Sequence, residues 1–308
     1  MNYTPEQIGA KMDALGLWEQ VFPFNWAVRP KGTVLPYFCS LLLEKTGPVK
    51  ARLLMLEGWQ TFHDYVRMRV DRNYGFYSTP MELPHFELAV LREAGVAIFR
   101  DDPGYTPRFL NERENELVGR ILWESYGLMM RIENDFKLPL SYAAEKSMFC
   151  RTEYESGKWR DEPLSIPDAR PHVEHIRFAK DKLKKVQDLP FLKDEALELD
   201  FRLLPGMMTR EKRPRSCYAL VIADSAAARR VALDKVSMNP EHGLRGLWEA
   251  LPERILDHLI AHGSLPGEIK IISGRLFRLM RPLCLELPFK LSLHDRLPAL
   301  EESMKDLK

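Results

Sequence analysis

The stretch CYALVIADSAAARRVALDKVSM, residues 217–238, decides the fold class of the C-terminal half of this chain. It reads as two apolar strands around the turn SAAA, with Asp224 at the end of the first strand. The preceding segment LELDFRLLP predicts another strand, and the charged TREKRPRS predicts the loop between them. We expect Asp224 to bond to the backbone of its own turn, since an aspartate at a strand end favours that conformation.

The segments that follow alternate between helix and strand. GLRGLWEAL and PERILDHLIAHG predict helices, EIKIIS a strand, GRLFRLMRPLCLEL a helix, FKLSLH a strand and RLPALEESMKDL a closing helix. The order β-β-β-α-β-α-β-α is typical of a mixed sheet with helices on its faces.

The N-terminal half predicts a separate α+β domain. Its patterns predict a helix over residues 5–20, a hairpin of YFCSLLLEK with VKARLLML, and a helix in WQTFHDYVRMRV whose aromatic side chains belong to a core. FELAVLREAG predicts a short helix closed by Gly95, and a capping box at Asn111 begins the longest helix. MFCRTEY and KWRDEPL predict a second hairpin.

Composition shifts divide the chain into an N-terminal α+β domain at residues 1–160, a linker at 161–192 and an α/β domain at 193–308. DEPLSIPDARPHVEH carries three prolines and many charges, which is typical of a linker between domains.

The overall composition narrows the class of protein. The chain has 308 residues, 29% of them charged, and a net charge of +1, so no global attraction to nucleic acid or anionic lipid is expected. No apolar run approaches the roughly twenty residues of a membrane span, and the N-terminus lacks the order of a secretion signal. Four scattered cysteines in apolar runs predict reduced thiols, and we therefore expect a cytoplasmic protein that does not associate with membranes.

Two resemblances follow from these segments. ALVIADSAAARRVAL, followed by helix and PGEIKIISGRLF, resembles the ribonuclease-H-like core of retroviral-type integrases and transposases. FRDDPGYTPRFLNERE and LELDFRLLPG resemble an uncharacterised bacterial two-domain family, over most of the chain from about Leu17 onward.

The integrase-type resemblance implies a two-metal site for phosphoryl transfer, held by carboxylates on the first strand, at the end of the fourth and on the last helix. Asp200 fills the first position, and Glu301 or Glu302 is available for the third. The second position is Ser273, which carries no charge. The resemblance therefore favours the fold and disfavours the activity, and magnesium is expected only if the nuclease alternative holds.

Other residues give weaker indications of a functional site. His294 and Asp295 follow the last strand, where α/β sheets place sites, although Asp295 as the cap of the final helix is favoured. His172 and His175 in the linker lack a third ligand, and HLIAH at 258–262 lacks the glutamate of a zinc-protease helix, so no metal site is expected. A surface or helix-end role is favoured for His262.

One basic loop remains as a candidate for nucleic-acid contact. Arg210, Lys212, Arg213 and Arg215 lie in TREKRPRS and would grip phosphates if Arg229 and Arg230 joined them. A solvated turn is the favoured alternative. We expect PGYTP to be a rigid lead-in to the long helix, with Tyr105 and Phe109 packed on that helix, and a surface recognition loop is the alternative.

These observations predict a non-catalytic binding or scaffold protein built on a degenerate ribonuclease-H-like domain. The alternative is a nucleic-acid-binding or metal-dependent nucleic-acid-processing protein. The partner is an unidentified macromolecule, with nucleic acid as one candidate, and the sequence does not determine the oligomeric state.

Overall fold

The computed structural model describes residues 3–21, 24–70, 83–135, 147–168, 176 and 178–305. The chain forms two compact units. Unit 1 comprises Met1–Val66, Leu83–Asp102 and Pro107–Arg170. Unit 2 comprises Arg67–Glu82, Pro103–Thr106 and Pro171–Lys308. His172 and His175 lie outside the described residues.

Unit 1 is built on a mixed sheet with the order β5-β4-β3-β2-β1-β6-β7. Neighbouring strands are antiparallel except for β1 and β6, which run parallel. The strands are β1 Asn25–Arg29, β2 Tyr37–Leu43, β3 Val49–Glu57, β4 His85–Leu91, β5 Gly95–Asp101, β6 Ser147–Glu153 and β7 Trp159–Ser165. Both predicted hairpins, β2–β3 and β6–β7, are confirmed.

Helices cover both faces of this sheet. They are α1 Pro5–Ala14, α2 Leu17–Val21, α3 Gly58–Val70 and α4 Glu112–Asn134. The main core of unit 1 joins α1, α2 and α4 to alternate residues of the strands, with Trp18 and Trp26 almost fully buried. On α3, Phe62 stacks on Phe38 of β2, as expected for a core aromatic.

Two helix predictions in unit 1 are wrong. The segment FELAVLREAG lies in β4 and the turn into β5. Its alternating pattern buries Phe86, Leu88 and Val90 in the main core, which a strand achieves and a helix does not. The first helix is also interrupted, because Gly16 takes a left-handed conformation between α1 and α2.

Unit 2 is built on a mixed sheet with the order β10-β9-β8-β11-β12. The strands are β8 Phe191–Met208, β9 Ser216–Asp224, β10 Arg230–Ser237, β11 Leu265–Ile271 and β12 Lys290–Leu293. β9 is antiparallel to both of its neighbours, while β8, β11 and β12 run parallel. Since both units combine helices with mixed sheets, the predicted α+β class is confirmed.

The helices of unit 2, apart from the last, pack against a core that contains Leu199, Leu220 and Ile269. They are α5 Lys180–Gln187, α6 Gly243–Glu249, α7 Leu251–His262, α8 Gly274–Met280, α9 Leu283–Glu286 and α10 Pro298–Ser303. A smaller core joins α10 to the other face of the sheet through Leu300 and Val221.

Residues 161–192, expected to be a linker, contain the end of β7 and all of α5. Within the described part of the chain, no helix combines the length and the apolar character needed to cross a membrane.

Candidate functional site

Asp200 occupies the first predicted metal position, and its carboxylate is already bonded. The side chain lies on β8 and is 6% exposed. Its Oδ1 accepts a hydrogen bond from the Phe201 amide at 2.9 Å, and its Oδ2 accepts one from Arg202 Nε at 2.8 Å. The guanidinium therefore supplies the positive charge that a metal ion would supply to this carboxylate.

The other predicted metal positions do not complete a site. Ser273 caps α8, and its Oγ accepts a hydrogen bond from the Leu276 amide at 3.2 Å. The Glu301 carboxylate pairs with Arg296 at 2.8 Å, and Glu302 pairs with Lys305. Among the residues that the structure describes, no group of three or more His, Cys, Asp or Glu side chains is arranged to hold a metal ion. The donor set does not fit two divalent ions.

A buried carboxylate that sequence reasoning missed, Glu198, lies two residues before Asp200 on the same face of β8. Its Oε2 accepts a hydrogen bond from the Leu300 amide at 2.9 Å, and its Oε1 accepts one from the Ser225 hydroxyl at 3.2 Å. Lys270 of β11 donates to the same hydroxyl at 3.0 Å. Glu198 thus connects α10 and the β9–β10 turn to the sheet through these hydrogen bonds. The alternation of Leu197, Glu198, Leu199 and Asp200 was the signal that could have found it.

His294 and Asp295 follow β12. The His294 Nε2 lies 2.9 Å from the Ser292 hydroxyl, and its amide donates to the Ile271 carbonyl at 2.8 Å. The capping role predicted for Asp295 is wrong, because α10 begins after Leu297 and has no side-chain cap. Arg296 and Leu297 lie between Asp295 and the first residue of the helix, so Asp295 does not occupy the capping position.

The basic hairpin is only partly available for ligands. Arg215 bonds both Glu211 and the Met238 carbonyl, and the Arg213 guanidinium lies 3.8 Å from the centre of the Tyr105 ring. Arg210 and Lys212 are exposed at the tip. Two of the four cations are therefore tied to unit 2 itself.

Tyr105 and Phe109 do not pack as expected. Tyr105 pairs with Arg215 through a backbone bridge and packs against the main core of unit 2, whereas Phe109 is 84% exposed. The left-handed Gly104 permits this approach, because a Cβ there would lie 2.5 Å from Met238 Sδ.

Arg229 and Arg230 do not join the hairpin cations. Arg229 directly precedes β10 and Arg230 begins it. The hairpin loop lies at the other end of β9, about 26 Å away for the eight rises of about 3.3 Å between its nine residues. They line instead a cleft of about 320 Å³ with Val231, Ala232, His258, Ala261 and His262. The structure thus places Arg229 and Arg230 away from the cations of the hairpin loop. These two arginines instead form a second basic site together with residues of α7.

Both histidines of α7 have carboxylates beside them. His262 Nε2 lies 2.7 Å from Glu195 Oε1, and Glu195 Oε2 accepts a hydrogen bond from Ser264 at 2.9 Å. His258 Nε2 lies 3.9 Å from Asp234 Oδ2, which also binds Arg254 at 2.7 Å. The i, i+4 spacing of the histidines was visible in the sequence, but their pairing with β8 and β10 was not.

Asp224 has the structural role expected of it. Its Oδ1 accepts hydrogen bonds from the amides of Ala226 at 2.8 Å and Ala227 at 3.0 Å. These bonds, led by that from Ala227, lower the pKa of its carboxyl. Because the turn already satisfies the charge, Asp224 is a turn residue.

Unit 1 also contains a cluster of polar side chains around buried carboxylates, which we name the β4 cluster: His85, Glu87, Asp101 and Arg52. Glu87 accepts a hydrogen bond from Arg52 Nη1 at 2.6 Å and lies 3.4 Å from His85 Nε2. Burial raises the pKa of Asp101 to about 6 against the opposing charge of His85. Burial acts to lower the pKa of His85, but the Glu87 hydrogen bond and the Asp101 charge outweigh it and raise that pKa. Predicting this segment as a helix concealed the cluster, since His85 and Glu87 share a face only in a strand.

Comparisons with known proteins give one similarity. No curated protein and no solved structure matches the chain. A family described as Domain of unknown function (DUF6930) matches residues 182–308, which include all of β8 to β12. The C-terminal region of this chain is therefore similar to an uncharacterised family.

Proposed function

We propose that this protein is a non-catalytic binding or scaffold protein whose unit 2 is a degenerate ribonuclease-H-like domain. The order of its strands supports the likeness, since a β8–β9–β10 meander is followed by helices and by β11 and β12 parallel to β8. We also propose that the protein is cytoplasmic and bacterial, because its sequence resembles a bacterial family and its four cysteines are free thiols.

The observation that carries the proposal is the ion pair between Asp200 and Arg202. In the two-metal mechanism, each ion stabilises one oxygen of the displacement, and shared carboxylates hold both ions. Here Arg202 neutralises Asp200, and Ser273 offers a helix cap in place of a second charge. A cation bound to Asp200 would have to displace a guanidinium that already makes a hydrogen bond to it.

Incubation with magnesium or manganese is expected to leave DNA, RNA and DNA–RNA hybrids uncut. The measurement is gel analysis of labelled duplexes after long incubation with the full chain. Cleavage that disappears in Asp200→Asn would contradict the proposal. Cleavage that survives Asp200→Asn would indicate a contaminating nuclease, and the proposal would then stand.

A gain of metal binding tests the likeness of the fold. We expect Arg202→Gln with Ser273→Asp to bind Mn²⁺ measurably by calorimetry, because the double variant frees one carboxylate and adds another just after β11. Arg202→Gln alone is the control. Equal binding by the control and the double variant would count against the predicted position of the second carboxylate.

Contact with nucleic acid through the hairpin tip is the second candidate function, and the exposure of Arg210 and Lys212 favours it. The double variant Arg210→Ser, Lys212→Ser is expected to bind duplex DNA more weakly and to reduce the salt slope by about two. Arg245→Ser removes one charge from α6 and is the control. An unchanged slope in the double variant would exclude the tip as the contact.

A further inference from the structure

We propose that the cleft between β10 and α7 binds the phosphate group of a small ligand, through Arg229, His258 and His262. This inference names a ligand class for the binding role proposed above. It depends on residues that take no part in the metal-site argument.

The cleft has the shape of a small binding site. His258, Ala261 and His262 lie on one face of α7, because residues three and four apart are neighbours on a helix. The small side chains of Ala261 and Ala232 leave the space open between the two elements. A volume of about 320 Å³ is at the lower end of the range for ligand sites, about 300–1,000 Å³. Such a volume suits a small phosphorylated molecule.

The carboxylates around the cleft are already bonded to other groups. Asp234 of β10 binds Arg254, and Glu195 of β8 binds both His262 and Ser264. Asp224 of β9 is held by the amides of its own turn. An anion entering the cleft therefore meets carboxylates that are each hydrogen-bonded or ion-paired within unit 2.

The Arg229 guanidinium, in contrast, retains capacity for a ligand. Within the described part of the chain, the exposed Arg229 guanidinium has no hydrogen bond or ion pair, and the Asp224 charge acts on it at longer range. Arg230 donates to the Ser303 carbonyl at 3.2 Å and adds its charge to the same wall. A planar guanidinium offers paired N–H donors that match phosphate oxygens.

Glu195 sets the orientation of His262 for this role. Since Nε2 of His262 faces the Glu195 carboxylate, protonation places the second N–H on Nδ1, which becomes a donor for an anion. Asp234 lies beside His258, and Glu195 lies beside His262.

The experiment measures inorganic phosphate binding to the full chain by calorimetry and by ³¹P line broadening. Arg229→Gln should weaken binding roughly tenfold, because it removes a charge-assisted pair of hydrogen bonds. Arg113→Gln is the matched control, since it removes the same charge from an exposed position on α4 of unit 1. Circular dichroism of both variants establishes that each is folded.

The outcomes are separable. Loss of binding in Arg229→Gln alone supports the site. Equal weakening by both variants, or none in Arg229→Gln, would overturn it. A ten-nucleotide oligothymidylate in parallel distinguishes the source of the phosphate: binding of the oligonucleotide without inorganic phosphate would overturn the small-ligand assignment. None of these results depends on the nuclease assay.

Discussion

Gly267→Ala is expected to destabilise unit 2 by about 3 kcal/mol or more, because the new methyl group meets backbone that cannot move aside. A Cβ at this position would lie 2.0 Å from the carbonyl oxygen of Lys193 and 2.6 Å from its carbon. Gly267 sits where the pairing of β11 with β8 shifts register, between the pairs Pro266↔Leu192 and Glu268↔Ala196. The substitution must either separate the two central strands or remove the bulge.

Urea unfolding followed by circular dichroism measures this loss, and the melting temperature should fall by roughly 10 °C. Gly127→Ala is the matched control: Gly127 is exposed within α4, where a Cβ meets nothing within 4 Å. That control should gain about 0.5–1 kcal/mol, since alanine favours helix over glycine. A stable Gly267→Ala protein would mean that β8 and β11 approach less closely than the structure has them.

The bulge also connects to the proposed phosphate site. The extra residues of β8 at this register shift include Glu195, which bonds His262. Bulges commonly redirect a side chain near a functional site. A folded Gly267→Ala protein should therefore bind phosphate more weakly than the wild type.

Asp101→Asn is expected to stabilise unit 1 at neutral pH, by up to about 3 kcal/mol, and to have little effect in acid. Burial raises the pKa of Asp101 from 3.8 to about 6, and each unit corresponds to about 1.4 kcal/mol. A carboxyl whose folded pKa is raised contributes stability below its unfolded pKa and loses that stability as pH rises through about 6. Asparagine remains neutral, so the variant avoids the cost of burying the ionised form.

Unfolding free energies of variant and wild type at about pH 4 and about pH 7.5 give this comparison. The raised pKa of His85 acts in the same direction, since its stabilisation is present below the unfolded value and is lost at higher pH. Asp102→Asn is the control: it breaks the 2.9 Å ion pair with Arg100 and should gain nothing at neutral pH. A neutral-pH loss in Asp101→Asn would mean that the ionised carboxylate is well paired.

The elements that were predicted well are those defined by short-range patterns. The capping box at Asn111, the β2–β3 and β6–β7 hairpins and the turn at Asp224 each depend on residues within a few positions of one another. The error in FELAVLREAG arose because seven residues of alternating character also contain helix-forming leucine, alanine and glutamate. The strand conformation is the one that places Phe86, Leu88 and Val90 together on the hydrophobic face of the sheet, and it therefore prevailed over the helix.

The sequence by itself determined an α+β chain, a β-meander followed by helix–strand alternation in its C-terminal half, and the serine at the end of β11. Only the tertiary structure decided that Arg202 neutralises Asp200, that Glu198 anchors α10, and that Arg229 faces His258 and His262 across a cleft. Local patterns follow from backbone preferences and from the period of burial, which neighbouring residues encode. The chemistry of a site depends instead on which distant side chains meet, and sheet order and register set those meetings.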